Sequence, residues 1–335
     1  DGLATLLWWS GYRKKVVLSN LAGVFPEKSE AERTRIARDF FTHLAEVLVE
    51  SLKHFRADRA DLAERFHHVN PEVLAPFADQ APGVLLSCGH YGNWERYAVT
   101  SGDALPLPFM GVYKRLSNAF YDDLIFRTRS QFGTELVEMK QVSAWMVEEQ
   151  GRAKAVTLAV DQRPLDPNKA WWMEWMGRET AMHFGLDAFA RKFDMPVVFF
   201  GLRKAKGKPR GHWEVHYDLI TDTPKAWPKG ALLKATYDRL EALIRRDPAH
   251  WLWSHTRWKH ARPDGVPLHH VEVPQDAAST GEPTPEPPAR LLRPKPPKRR
   301  SLSACARAPL RTTSGRTTWC CLLYTSDAAD ERTSV

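Results

Sequence analysis

The sequence predicts an α/β fold with a mostly parallel central sheet flanked by helices. Two observations carry this. Short β-like runs recur at 84–87, 107–113, 135–139, 155–160, 197–202 and 213–219. Helical or loop segments alternate with them, and that alternation is the signature of crossover connections between parallel strands.

Taken in chain order, the first element is an apolar opening, "LATLLWWSGY", followed by the basic run Arg13-Lys14-Lys15. It is far shorter than the roughly 20 residues that cross a bilayer. The segment 29–53 reads as a helix: Ser29 and Glu32 fit a capping box, and Pro26 stands just outside it. Ile36, Phe40, Leu44, Val47 and Leu48 recur at three- and four-residue spacing and make one apolar stripe. Helical periodicity returns at 118–133, ending at Gly133, and at 184–194. A late helix follows at 230–247, with Pro248 beyond it. No internal repeat is present.

At 335 residues and 43% hydrophobic, the chain can bury at least one sizeable core. The net charge of +8 is unevenly spread. From Thr280 onward ten Lys/Arg face five Asp/Glu, which leaves +3 for everything before it. The body is therefore not generally basic and carries no recognisable nucleic-acid motif, so nucleic acid is not an expected partner. Three of the four cysteines, Cys305, Cys320 and Cys321, lie in the C-terminal tail. With Cys88 the single thiol of the body, no disulfide framework forms there, as suits a reducing compartment. No Cys/His spacing resembles a structural zinc site.

Composition changes near residue 275. "STGEPTPEPPARLLRPKPPKRR" is rich in proline and charge and should not pack, and the sequence after it has no usable periodicity. Composition therefore divides the chain into a body that ends near 275 and a tail at 276–335 expected to be disordered or non-native.

The stretch "CGHYGNWERY", 88–97, follows directly on the apolar run "GVLLS". On one regular helix His90 and Glu95 would diverge by about 140°. They can meet only if His90 lies in the turn after the strand and Glu95 in the first helical turn, and Gly89 and Gly92 give the backbone that freedom. An imidazole would then stand at the carboxyl end of a strand beside a helix N-terminus, where open α/β sheets bind ligands. A carboxylate on one ring nitrogen would leave the other as a general base. A histidine and a helix-start glutamate with no joint role fit the spacing equally well. A second polar group, Asp161-Gln162-Arg163-Pro164, follows the run "AVTLAV"; a plain β-turn punctuated by Pro164 is its simpler reading.

"GHYGNWE" has the H-x4-D/E form of the glycerolipid acyltransferase superfamily. Five further stretches accompany it in order. They are "NLAGVFPEKSEAERTRIARDFF", "GVYKRLSNAFYDDLIFRTRSQFGTELV", "LAVDQRP", "WMGRETAMHFGLDAFARKFDMPVVF" and "IRRDPAHWLWSHTRWK". Over about 15–265 the chain resembles the bacterial lipid A biosynthesis lauroyl/myristoyl acyltransferase family. The resemblance implies a glycerolipid acyltransferase-like fold, with a remnant of an N-terminal membrane-anchor region at 1–15 and an acyltransferase domain at 16–275. It implies transfer of a fatty acyl chain from an acyl carrier protein thioester, with acyl-coenzyme A the less favoured donor. The acceptor would be a hydroxyl of a 3-hydroxyacyl chain on a lipid A precursor.

By position, the resemblance makes His90 the general base and Glu95 its orienting partner. It makes Arg129, Asp161, Gln162 and Arg178 site-organising or substrate-binding residues. A thioester is already activated, so no metal or cofactor is required by this chemistry. The expected location is the cytoplasmic side of the bacterial inner membrane. Six tryptophans in "KAWWMEWMG" and "HWLWSHTRWK" fit either a membrane-facing surface or ordinary core packing. Two rival readings remain: a thioesterase or cysteine hydrolase using Cys88 with His90, and a non-catalytic lipid-binding protein on the same fold.

Overall fold

The computed structural model describes residues 2–274. The tail assigned to 276–335 lies outside the described residues. The chain opens with three helices, α1 (Gly2–Trp9), α2 (Lys14–Val24) and α3 (Glu30–Lys53). The capping box expected at Ser29 and Glu32 is present at the start of α3. The predicted apolar stripe is the buried face of α3, with Ile36, Phe40, Leu44 and Val47 inside. Helix α1 packs on α3: Ala4 and Leu7 are buried, and the Trp8 ring meets Phe41 edge-on at 5.8 Å. The opening stretch, expected to be the remnant of an anchor, is thus folded against the rest of the chain. Among the described residues no helix is long and apolar enough to cross a membrane.

After α4 (Arg59–Arg65) the strands begin. They are β1 (Phe66–His68), β2 (Gly83–Cys88), β3 (Phe109–Tyr113), β4 (Glu135–Glu138), β5 (Lys154–Ala159), a hairpin of β6 (Trp171–Trp175) and β7 (Arg178–Met182), β8 (Val197–Lys204) and β9 (Trp213–Thr221). Between them lie α5 (Trp94–Ala104), α6 (Ala119–Ser130), α7 (Val142–Glu148) and α8 (Gly185–Phe193), and α9 (Ala231–Arg246) follows β9. Seven strands form the central sheet in the order β1-β9-β8-β2-β5-β3-β4. All neighbours are parallel except β8 and β9. The α/β class is therefore as the sequence predicts.

Strand β2 is buried along its whole length, as befits the middle of a sheet covered on both faces. It pairs with β5 on one side and β8 on the other. Its last residue, Cys88, lies opposite Ala159, the last residue of β5. Two neighbouring strands therefore stop side by side and point the same way. Whatever follows each of them meets at one place, outside the carboxyl ends of a parallel sheet where ligands are bound.

The tryptophan-rich segments belong to the core. Trp172, Trp175, Trp251 and Trp253 are buried, and Trp171 and Trp258 are partly so. The indoles of Trp175, Trp251, Trp253 and Trp258 stack and cross one another at 4.7–6.0 Å. Core packing decides between the two readings these segments allowed.

Candidate active site

The turn after β2 carries His90. Tyr91 N–H closes back on the Gly89 carbonyl at 2.8 Å, and Gly92 takes a left-handed backbone with φ +66°. Gly89 is needed for a second reason: a Cβ there would meet Leu240 at 2.6 Å and the Asp161 carboxylate at 3.0 Å. Asn93 then caps α5, accepting the Arg96 backbone N–H at 3.0 Å. Glu95 falls in the first turn of α5, as the spacing requires.

The partner of His90, however, is Asp161. The His90 Nδ1 lies 2.7 Å from Asp161 Oδ1, while the other carboxylate oxygen accepts the His90 backbone N–H at 2.7 Å and the Trp251 indole N–H at 2.8 Å. Glu95 does not orient the imidazole. Its two oxygens take the guanidinium of Arg129, Nε at 2.9 Å and Nη2 at 2.7 Å. The reason is register. Asp161 stands two residues beyond the end of β5 as His90 stands two beyond the end of β2, so strand pairing brings them together. The first turn of α5 instead presents Glu95 to α6, where the last-turn residue Arg129 meets it.

The electrostatics follow from these contacts. Burial opposes ionisation of Asp161, yet the His90 ring charge and the hydrogen bonds from His90 and Trp251 overcome it and hold the carboxyl down at about 2. A carboxylate can only accept, so in the neutral ring Nδ1 carries the imidazole proton and Nε2 keeps its lone pair. Gln162 stands at 3.3 Å from Nε2, where its amide N–H can donate to that lone pair. Burial lowers the His90 pKa, but the charge and hydrogen bond of Asp161 more than offset it and leave the ring above the ordinary histidine value. Burial likewise pushes Glu95 up, and the Arg129 charge and its two bonds bring it below the usual carboxylate range.

His90, Glu95, Arg129 and Gln162 all face one cavity of about 480 Å³. Its walls are mainly apolar, with Leu44, Val47 and Leu48 from α3, Ile125 from α6, and Leu186 and Phe189 from α8. That volume falls in the ordinary range of small-ligand pockets, about 300–1,000 Å³. Asp161 stands behind the wall rather than in it. Arg178 does not line the cavity: it packs over the Trp258 ring at 4.5 Å and closes on Gly23 of α2. The structure thus gathers His90, Glu95, Arg129, Asp161 and Gln162 and leaves Arg178 apart. Cys88 points back into the sheet, its Sγ 3.9 Å from the Leu158 carbonyl, and burial drives its thiol well above the usual range. That environment opposes the thiolate a cysteine hydrolase needs.

Sequence reasoning missed Asp161 as the partner of His90, and missed Trp251 as a donor to it. The available signal was two apolar runs, each followed within three residues by a polar side chain of complementary type; the equal spacing of His90 and Asp161 emerges only from the strand ends, Cys88 and Ala159.

An imidazole paired with a buried carboxylate, at the edge of a largely apolar cavity outside the carboxyl ends of a parallel sheet, is the arrangement of an α/β enzyme site. The family model for bacterial lipid A biosynthesis acyltransferases matches residues 1–260, and the chain belongs to that family. It is 27% identical over 260 residues to the lipid A biosynthesis lauroyltransferase of Escherichia coli (strain K12), across 76% of this chain and 81% of that protein. The protein is accordingly an acyltransferase of lipid A biosynthesis.

Proposed function

We propose that the enzyme moves a fatty acyl group from an acyl carrier protein thioester to the hydroxyl of a 3-hydroxyacyl chain on a lipid A precursor, at the cytoplasmic face of the inner membrane. The observation that carries this reading is the orientation of His90, with Nδ1–H committed to Asp161 and Nε2 turned to the apolar cavity. The acceptor hydroxyl gives its proton to Nε2 as its oxygen attacks the thioester carbonyl carbon. The tetrahedral intermediate then collapses, the C–S bond breaks, and the leaving thiolate takes the proton back from the imidazolium. An ester and a free thiol result, and the histidine returns to its starting state.

Asp161 holds the imidazole in one tautomer and stabilises the cation formed during attack, as the carboxylate of a hydrolase triad does. Arg129, fixed at the cavity wall by two bonds to Glu95, supplies positive charge for the carbonyl oxygen as it becomes an oxyanion. Glu95 serves catalysis by holding Arg129. The apolar walls take the hydrocarbon chain.

The test is acyl transfer in membranes, with acyl carrier protein and coenzyme A thioesters as alternative donors and a tetra- or pentaacyl lipid A precursor as acceptor. His90→Ala should abolish transfer from the carrier-protein thioester. Near-normal activity in that variant would overturn the mechanism, and preference for the coenzyme A donor would overturn the donor assignment.

A further inference from the structure

The segment after α9, "HWLWSHTRWK", forms a strap across the ends of β2 and β5. Leu252 N–H bonds the His90 carbonyl at 3.1 Å, and Gly92 N–H bonds the His250 carbonyl at 2.9 Å. Tyr91 and Trp251 make an isolated antiparallel bridge. On the other loop, His255 Nε2 accepts the Arg163 backbone N–H at 3.0 Å. Asn20 of α2 pins the strap from outside, its Nδ2 donating to the Trp253 and His255 carbonyls at 2.9 Å each.

One side chain of the strap reaches the dyad. Trp251 is 1% exposed, wedged edge-on against Trp175 and Trp253, and its indole N–H ends on Asp161 Oδ2. Asp161 has two other hydrogen bonds, and both come from His90 itself, through ring and backbone. The backbone bond ties Oδ2 to the turn after β2, and the ring bond on Oδ1 moves with the imidazole. Trp251 is the one side chain outside the dyad that donates to the carboxylate, and it fixes Oδ2 from the strap and the aromatic core.

We propose that Trp251 is a positioning residue for acyl transfer, fixing the orientation and charge of the Asp161 carboxylate and through it the aim of His90 Nε2. This rests on the reading of His90 as general base. An N–H donor to a carboxylate draws negative charge away from the oxygen facing the imidazole. Removing it loosens the ring's aim, so turnover falls, and strengthens the pull on the imidazolium, so His90 holds its proton to higher pH. The other charged groups facing His90 are Glu95 and Arg129, with the Trp94 ring beside it at 5.6 Å. None of them contacts the Trp251 N–H, so a change seen in His90 traces to Asp161.

The experiment uses the full chain. Trp251→Phe keeps a ring in the core and deletes the donor. It should lower kcat by about 10–100-fold, the span expected for one hydrogen bond to a charged group. KM should be nearly unchanged, and the acid limb of kcat/KM should move to higher pH. Trp253→Phe is the control: its indole N–H goes to the Pro248 carbonyl at 2.6 Å, so it should lower the melting temperature and leave the acid limb in place. If Trp251→Phe folds poorly, incorporation of 3-benzothienylalanine at position 251 removes the N–H and keeps the bicyclic shape. Titration of the His90 ring protons by NMR reads the same coupling whether or not His90 is the base. Activity and a His90 titration unchanged in the Trp251 variant, with His90→Ala inactive, would overturn this proposal alone. An active His90→Ala variant would overturn the base assignment, and a His90 titration still displaced by the Trp251 change would support the coupling.

Discussion

His90 and Asp161 lie 71 positions apart in the chain and 2.7 Å apart in the fold, joined because β2 and β5 end opposite each other. Their pairing gives one carboxylate of the site to the imidazole, and leaves the other, Glu95, as the counter-ion of an arginine.

Asp161→Asn keeps the size of the side chain and destroys its logic. An amide places N–H groups among three donors, one on Oδ1 and two on Oδ2, and the imidazole loses the partner that fixes its tautomer. Turnover should fall by about 10³–10⁴-fold, as in triads that lose their carboxylate. KM should change little. Steady-state kinetics on protein shown to be folded by its melting curve checks this.

The pH dependence has a definite sign. In the proposed mechanism His90 works as a neutral base, and Asp161 holds it above the ordinary histidine value. Activity should therefore rise with pH along a limb centred above about 6.5. A limb centred below that value in the wild-type enzyme would contradict the observed pairing.

Glu95 and Arg129 should behave as one unit. Each side chain is about a quarter exposed, and removing either leaves the other's charge half-buried without its partner. Glu95→Gln and Arg129→Met should each impair transfer strongly. The double variant should be no worse than the weaker single, a coupling of about 1.5–3 kcal/mol in a double-mutant cycle on kcat/KM. Arg129→Lys should not rescue, because an ammonium cannot make the two parallel bonds.

Cys88→Ala should retain most of the activity, because the thiol is buried and its pKa lies well above the usual range. The same burial predicts that a soluble alkylating reagent leaves Cys88 unmodified in the native protein. Mass spectrometry of peptides after brief labelling and after denaturation tells the two states apart.

Stability should fall on mild acidification. Burial depresses His54 to about 4 and His68 to about 3, so both are neutral in the fold while an unfolded chain protonates them near 6.5. Unfolding takes up protons in that window, and stability is lost as pH drops from about 6.5 toward 4. His54 alone accounts for on the order of 3 kcal/mol. His90, raised in the fold, acts in the opposite sense as pH falls toward 6.5. Urea midpoints at pH 7.5, 6 and 5 should decline in step, and His54→Gln should flatten the slope.

Local chemistry was enough to predict much of this molecule. The stripe of Ile36, Phe40, Leu44 and Val47 and the box of Ser29 and Glu32 define α3 without any tertiary help. The six β-like runs are six strands of the central sheet, because a run of apolar residues with β propensity carries its own signal. The three-residue β1 escaped, being too short for periodicity, and the β6–β7 hairpin was hidden because neither strand alternates cleanly, with Trp172 and Met173 buried side by side in β6 and Thr180, Ala181 and Met182 in β7. The antiparallel pairing of β9 with β8 was also not legible, since a strand's direction depends on which neighbour it finds.

The site divides in the same way. Sequence by itself placed His90 in a turn after a strand, Glu95 in the first turn of a helix, and a polar group at the end of a second strand. Those are statements about single segments, and spacing along one segment fixes them. Which carboxylate takes the imidazole was decided by the pairing of Cys88 with Ala159, a contact between distant segments whose register no single stretch encodes. The same holds for Trp251, which reaches Asp161 across 90 positions only because the strap after α9 folds back over both strand ends. A strand carries its hydrophobicity in its own residues; its neighbours are chosen by the packing of the whole chain, and the chemistry of this site resides in that choice.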